Sequence, residues 1–181
     1  MFAKLITAAV VALMISSAPA SAAESENLQL FRDVQRQVLR YPHFTIFDSV
    51  HANVDNGHVT LVGKVTMPYK RTDIENRVAK VAAVTGIDNK IEVLPVSQFD
   101  NELRFSIARA IYSNHNFRPY ASMVNPPIHI IVEHGRVTLE GVVNSQVDRM
   151  LARSIASNFL SFDVKNELQT EAEAKAALEK L

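Results

Sequence analysis

An internal repeat constrains the fold of this chain more than any other feature of the sequence. Residues 57–65 and 135–143 are identical at six of nine positions, at a constant offset of 78 residues. An offset of this size predicts a structural unit of roughly 70 residues that occurs twice. The 181-residue chain is therefore expected to form two small domains rather than one larger domain.

Each copy of the repeat predicts a β-hairpin. Residues 50–54 alternate apolar and polar side chains, as expected of a half-buried strand, and Asn56 and Gly57 follow them. Asn-Gly is the strongest short hairpin signal, because a type I′ turn needs positive φ at both central residues. The second copy alternates over residues 128–133 and has Gly135 in its turn.

Counting back from each turn predicts the register of the two hairpins. Val54 should lie opposite Val59 on the buried face, and His129 should lie opposite Glu140 on the other face. The latter two residues are interpreted as a cross-strand polar pair rather than as a metal or acid–base site.

Gly63 and Gly141 occupy the same position inside the two return strands. A glycine within a strand usually marks a bulge or a close approach of another backbone. We attribute the close approach to the first helix of each unit crossing the sheet.

Helices are predicted on both sides of each hairpin. A helix that ends near Arg40, just before Pro42, precedes the first hairpin, and Asp100 is the predicted N-cap of the equivalent helix in the second copy. The apolar stripes of these two helices have four-residue spacing: Leu30, Val34 and Val38 in the first copy, and Leu103, Ile107 and Ile111 in the second.

A second helix should follow each hairpin. It is predicted to begin at Pro68 in the first copy and with a Ser145 cap in the second, and Gly86 is the predicted C-cap of the first of these helices. A short third strand should then pass through Ile91, and in the second copy through Leu168.

The predicted fold class is α+β, an α/β sandwich of two tandem α-β-β-α-β units. Each unit is a three-stranded mixed sheet with two helices packed on one face, because the last strand returns through a helical crossover. We call residues 27–94 unit 1 and residues 100–169 unit 2; residues 95–99 are the linker and 170–181 a helical tail.

The uncovered face of each sheet carries apolar as well as polar residues, including Val62, Ile131 and Val142. Such a face is too apolar to be fully wetted. Contact between the two units is one explanation, and a surface for an external partner is the other.

Residues 1–23 have the pattern of a secretory signal peptide, with Lys4, an uncharged apolar run over residues 5–15 and small residues at 18–23. A membrane anchor, the alternative, needs about 20 apolar residues. The chain contains no cysteine, so lipid attachment to an N-terminal cysteine is excluded. We therefore expect a periplasmic protein that can lie peripherally on a membrane.

Charge and motifs exclude several functional classes. Removing Lys4 leaves 19 − 1 = 18 basic residues against 19 acidic ones, a balance that argues against nucleic acid as a partner. No hydrolase, zinc-protease, phosphate-loop or dinucleotide motif occurs. We therefore expect no catalytic residues, no metal, no cofactor and no small-molecule substrate.

The motif Asn/His-Gly-x-Val-Thr-Leu-x-Gly-x-Val, with its flanking helices, resembles that of the BON domain family, named after bacterial osmotically inducible Y and nodulation proteins. The resemblance covers residues 27–94 and 100–169, and its structural motif residues are Asn56, Gly57, Gly63, Gly135 and Gly141. It implies a non-enzymatic envelope protein that binds phospholipid surfaces or envelope partners, in envelope maintenance or protection against osmotic stress. Unit 2 departs from the pattern in its turn, in its longer loop and in lacking a counterpart of Gly86.

Two rows of arginine are the candidate binding residues for anionic phospholipid or an envelope partner. They recur at four-residue spacing on the predicted helices: Arg32, Arg36 and Arg40 in unit 1, and Arg149 and Arg153 in unit 2. Each basic residue near an anionic membrane contributes roughly 1 kcal/mol. The alternative is a solvated helix face neutralised by acids such as Asp33. A further alternative for the whole protein is a scaffolding module of an envelope or secretion assembly, without direct lipid binding.

Overall fold

The computed structural model describes residues 20–178. The elements of unit 1 are α1 (Ala20–Leu39), which begins before the predicted start of the unit at residue 27, β1 (Ser49–Asp55), β2 (His58–Val65), α2 (Pro68–Val78) and β3 (Gly86–Val93). Most of the predicted signal peptide lies outside the described residues, so that interpretation stays a prediction.

Unit 2 repeats this order with one insertion. Its elements are α3 (Gln98–Ser113), a 3-10 turn (His115–Phe117), α4 (Arg118–Ala121), β4 (Ile128–Glu133), β5 (Arg136–Val143), α5 (Gln146–Ala156) and β6 (Asp163–Thr170). The helix α6 (Glu171–Leu178) follows as the predicted helical tail. The 3-10 turn and α4 occupy the longer loop that distinguishes unit 2.

The sheets confirm the predicted α+β class and the hairpin registers. Their orders are β1-β2-β3 and β4-β5-β6, with the first pair antiparallel and the second parallel in each sheet. Val54 pairs with Val59, and His129 pairs with Glu140. Asn56 and Gly57 have φ values of 49° and 82°, which is the left-handed pair that a type I′ turn requires.

Each unit has its own core between its sheet and its helices. The predicted stripes of α1 and α3 are buried, because their four-residue spacing turns one helical face toward the sheet. The unit 1 core includes Val34, Val59, Leu61 and Ile74. The unit 2 core includes Ile107, Phe117, Ile130, Leu139 and Leu168.

The prediction that a helix crosses close to Gly63 and Gly141 is wrong. A Cβ atom at Gly63 would lie 2.1 Å from the carbonyl oxygen of Ser49, and one at Gly141 would lie 1.8 Å from that of Pro127. The close neighbour is thus the backbone at the start of the adjacent strand. The two glycines have φ values of 135° and 119°, so both sites require glycine for conformation as well as for space.

Asp100 is not the N-cap of α3. That role belongs to Ser97, whose side chain accepts a hydrogen bond from the backbone N–H of Asp100. The buried carboxylate of Asp100 instead accepts the backbone N–H groups of His134 and Gly135, at 2.9 and 2.8 Å. Asp100 therefore ties α3 to the hairpin turn of unit 2.

Gly86 is not a helix C-cap either. The helix α2 ends at Val78, and Gly86 is the first residue of β3. A Cβ atom at Gly86 would lie 2.8 Å from Nδ1 of His58. Glycine here leaves room for the histidine ring on the neighbouring strand.

A segment of unit 1 packs on unit 2. Ile46 and Phe47 contact the core of unit 2, and the ring of Phe47 lies 4.8 Å from that of Phe105. The backbone N–H of Ile130 donates to the carbonyl of Ile46 at 2.7 Å. The segment between α1 and β1 thus covers the outer edge of β4.

Polar contacts join the two sheet faces that helices leave uncovered. Lys64 pairs with Glu133, and His51 pairs with Glu140 across the same junction. Ile131, one of the residues too apolar for a wetted face, is 4% exposed. Contact between the units, the first explanation of the apolar sheet face, is therefore confirmed for this part of it.

Candidate binding surfaces

The basic row of unit 1 lies on the exposed side of α1 and continues to Arg40, the residue after the helix. Arg32, Arg36 and Arg40 are all exposed, as the spacing predicts. Arg36 forms an ion pair with Asp33 at 2.8 Å. The row is therefore neutralised in part by an acid on its own helix.

The basic row of unit 2 lies on α5. Arg149 pairs with Glu173 of α6 at 3.2 Å, and Arg153 is exposed in the last turn of α5. Glu173 also exchanges hydrogen bonds with Thr170 in a capping box that begins α6. The tail helix thus holds an acid against one of the two predicted arginines.

A polar cluster lies at the junction of the units. Glu140 does not bond His129, its cross-strand neighbour, but accepts hydrogen bonds from Ser49 at 2.5 Å and His51 at 2.8 Å. The hydrogen bond with Glu140 raises the pKa of His51. Burial alone would raise the pKa of Glu140, but the hydrogen bonds from His51 and Ser49 outweigh it, and that pKa lies below its ordinary value.

The side chain of His129 is half-buried at this junction. Its ring lies 5.5 Å from the ring of Phe44, and its Nδ1 atom has no hydrogen-bond partner among the described residues. Burial lowers the pKa of His129. The backbone groups of Asp48 and Thr45 and the carboxylates of Glu140 and Asp48 raise it, but by less, so the pKa lies below its ordinary value. The neutral ring is therefore the form that the packed units favour.

Replacing His129 with leucine should make folding less sensitive to acid. The ordinary pKa of histidine is 6.5, and that of folded His129 is lower. Below pH 6.5 the unfolded chain therefore binds a proton at His129 that the folded chain does not bind, so wild type loses stability as the pH falls. Thermal unfolding measures the effect. The difference in melting temperature between His129→Leu and wild type should move in favour of the variant when the pH is lowered from 7 to 5. An unchanged difference would contradict this account.

The cluster does not form a metal site. Among residues 20–178, no group of three His, Asp or Glu side chains is placed to hold a metal ion. Within the same range, no helix has the length and apolar character needed to cross a bilayer.

Three exposed apolar side chains, which the sequence reasoning missed, lie at the hairpin turn of unit 2 or two residues along the chain from a residue that contacts it. Phe99, Leu160 and Phe162 are 48%, 85% and 83% exposed, and we call these three residues the turn-end patch. Phe162 donates its backbone N–H to the carbonyl of Gly135 at 2.9 Å. A Cβ atom at Gly135 would lie 2.7 Å from the Phe162 ring and 3.4 Å from that of Phe99.

Unit 1 lacks this patch. Thr85 donates its backbone N–H to the carbonyl of Gly57, so it is the counterpart of Phe162 at an offset of 77 residues. The same offset makes Ala83 the counterpart of Leu160, and the helix offset of 73 makes Glu26 the counterpart of Phe99. Comparison of the two repeats could have revealed this difference from the sequence.

The fold defines a class of protein with two tandem α-β-β-α-β domains. A family model described as the BON domain matches residues 29–95 and 100–172. The chain belongs to the BON domain family and carries two BON domains in tandem.

Two solved structures from Chlamydia trachomatis match the chain weakly. One is described as the C-terminal domain of CdsD, the structural protein of the type III secretion system; it is 13% identical, with 77% of this chain and 96% of that chain covered and a TM-score of 0.28. A second CdsD structure is 14% identical, covers 83% and 97% of the two chains, and also has a TM-score of 0.28. At these TM-scores the similarity supports no functional argument. A comparison with curated proteins returns no match.

Proposed function

We propose that this is a non-enzymatic protein of the cell envelope, exported by the signal peptide at residues 1–23, which binds the anionic surface of a phospholipid membrane through unit 2. The observation that carries the proposal is the turn-end patch. It is present in the second BON domain and absent from the first, although the two share one fold.

The patch has the composition of an interfacial anchor. Leu160 and Phe162 are more than four-fifths exposed, so water surrounds apolar surface that a membrane interface can cover. Full burial of such a side chain contributes about 1.5–3 kcal/mol. Aromatic and leucine side chains are typical of protein segments that lie in the headgroup region.

Basic residues accompany the patch. Arg136 directly follows Gly135 in the turn, and Arg153 lies in the last turn of α5, before the loop that carries Leu160 and Phe162. Each basic side chain near an anionic surface adds roughly 1 kcal/mol. Arg149 pairs with Glu173, so we assign it a smaller part than Arg153.

The patch should be required for vesicle binding. The double variant Leu160→Ala and Phe162→Thr places smaller side chains, those of the unit 1 counterparts Ala83 and Thr85, at two exposed positions. We expect affinity for phosphatidylglycerol-containing vesicles to fall at least about tenfold, since apolar burial worth more than 1.4 kcal/mol is lost. Co-sedimentation measures the effect.

The matched control changes exposed apolar residues elsewhere in unit 2. Met123 and Val124 are 47% and 97% exposed in the loop after α4, and Met123→Ala with Val124→Thr should leave vesicle binding unchanged. Equal loss in both double variants, equal binding to phosphatidylcholine vesicles, or no binding by wild type would refute the proposal.

A scaffolding role is the second candidate. The uncovered sheet face of unit 2 forms a cleft of about 310 Å³ beside Lys64 of unit 1. Its charges have both signs and suit a polypeptide better than a lipid: Glu133, Arg136, Glu140, Lys165 and Glu167. Binding to an envelope protein that survives Leu160→Ala with Phe162→Thr but is lost in Lys165→Glu would favour this candidate over lipid binding.

A further inference from the structure

The outer edges of the two hairpins differ. In unit 2, side chains from α3 satisfy the backbone of the edge strand β4. The hydroxyl of Tyr112 donates to the carbonyl of Ile128 at 2.6 Å and accepts its N–H at 3.1 Å, and Arg104 donates to the carbonyl of Val132 at 3.0 Å. Such coverage prevents an edge strand from pairing with another chain.

The segment from unit 1 completes this coverage. The carbonyl of Ile46 accepts the outward N–H of Ile130. The inward side chains of β4 are fully buried: Ile128, Ile130 and Val132 are all 0% exposed.

The equivalent edge of unit 1 is open. The pair Asp55 and His58 closes the β1–β2 hairpin, and alternation from that pair directs the backbone groups of Val50, Ala52 and Val54 outward. No backbone group within residues 20–178 and no side chain within residues 26–178 forms a hydrogen bond with these outward groups. Their side chains are only half-buried, unlike their counterparts in β4.

The substitutions that open this edge are visible in the repeat. The helix offset of 73 residues puts Phe31 at the position of Arg104 and Leu39 at that of Tyr112. Asn27 anchors this alignment, because it accepts the N–H of Asn56 in the turn, as Asp100 does in unit 2. Phenylalanine and leucine cannot satisfy backbone groups, and Leu39 is 37% exposed.

We propose that β1 is a pairing edge for a second copy of this chain, so that two unit 1 sheets join antiparallel across a twofold axis into one six-stranded sheet. An isologous twofold interface of this kind is the commonest arrangement in homo-oligomers. The interface lies on unit 1, so it stands or falls independently of lipid binding by unit 2.

The sequence of β1 is complementary to itself. A twofold axis at Ala52 sets Val50 opposite Val54 of the second copy, and each such pair exchanges backbone hydrogen bonds. On the other face it sets His51 opposite Asn53 of the second copy. Ser49 then meets Asp55 of the second copy, so no two like charges lie directly opposite one another.

An apolar surface adjoins the open edge. A groove of about 500 Å³ runs between the first half of α1 and the β1–β2 hairpin, with Leu28, Phe31, Ala52 and Val54 in its lining. Antiparallel pairing of β1 would bring the groove of each copy next to that of the other. Leu28 and Phe31 would then be covered together with the backbone edge, which favours a second copy over an isolated peptide strand.

Copying the unit 2 edge into unit 1 tests the proposal. In the protein purified as the cell produces it, light scattering after size exclusion should show a dimer for wild type. Phe31→Arg with Leu39→Tyr should yield a monomer at the same concentration, as should Ala52→Pro, which removes one outward N–H that the fold does not use. Leu160→Ala with Phe162→Thr should remain dimeric.

A crosslink identifies the strand directly. The chain has no cysteine, so Ala52→Cys introduces a single thiol that meets its copy at the axis, at a Cα separation of about 5.5 Å that a disulfide can span. Oxidation should crosslink this variant, whereas Thr60→Cys, on the central strand β2, should stay uncrosslinked. A monomeric wild type, or a dimer that persists in both edge variants, would overturn the proposal.

Discussion

Replacing Gly141 with alanine is expected to unfold unit 2. The new Cβ atom would lie 1.8 Å from the carbonyl oxygen of Pro127, at a residue whose φ is 119°. An unfavourable backbone conformation costs about 1–3 kcal/mol and overpacking a similar amount, so we expect a loss of about 4 kcal/mol. Urea unfolding followed by circular dichroism, with hydrogen exchange resolved by unit, measures it.

Gly86→Ala is the matched control for Gly141→Ala. Its Cβ atom would meet the ring of His58 at 2.8 Å, but His58 is exposed and its side chain can rotate away. We expect a loss of roughly 1 kcal/mol or less, because the backbone conformation is an ordinary one. If the two variants were equally stable, backbone contact would not be the reason for glycine at position 141.

Replacing Lys70 with methionine is expected to destabilise unit 1 by about 3–5 kcal/mol, because it leaves a buried carboxylate without its cation. Lys70 Nζ lies 2.6 Å from Asp48, which is 0% exposed. Asp48 also accepts the backbone N–H and hydroxyl groups of Thr45 and Thr66. Chemical unfolding at pH 7 gives the size of the effect.

The loss of stability in acid should be smaller in this variant than in wild type. Burial alone would raise the pKa of Asp48, but the hydrogen bonds from Lys70, Thr66 and Thr45 outweigh it and hold the pKa below 3.8. Wild type therefore keeps this stabilisation above that value and loses it as the pH falls through the folded pKa. Without Lys70, the hydrogen bonds from Thr45 and Thr66 alone oppose the effect of burial, so the pKa of Asp48 should rise and Lys70→Met should lose less stability than wild type as the pH falls.

An exposed ion pair provides the comparison. Lys90 lies 2.9 Å from Asp88, with 61% and 46% of their side chains exposed, so Lys90→Met should change stability by less than about 1 kcal/mol. The double variant Asp48→Asn with Lys70→Met should regain part of the loss. A Lys70→Met variant as stable as Lys90→Met would show that the buried pair is not needed.

Local signals in the sequence determined the secondary structure and the strand registers. The left-handed turn at Asn56 and Gly57 sets which residues of β1 and β2 face each other, so the Val54–Val59 pair follows from counting. The spacing of Val34 and Val38 likewise determines which side of α1 meets the sheet. Each of these two signals comes from residues that lie within about two helical turns or one hairpin of each other. The repeat shows each signal twice, once in each unit.

Tertiary structure alone decided which partners distant residues have. Asp100 has the residue type of an N-cap, yet its carboxylate binds the turn 34 residues away. His129 lies opposite Glu140 as counted, but Glu140 bonds Ser49 and His51 of the other unit. Such choices depend on how the two units pack, because a side chain forms the contacts that the assembled fold brings within reach. The sequence by itself thus determined the two folds and the substitutions that distinguish them, and only the assembled structure decided how the two units pack against each other.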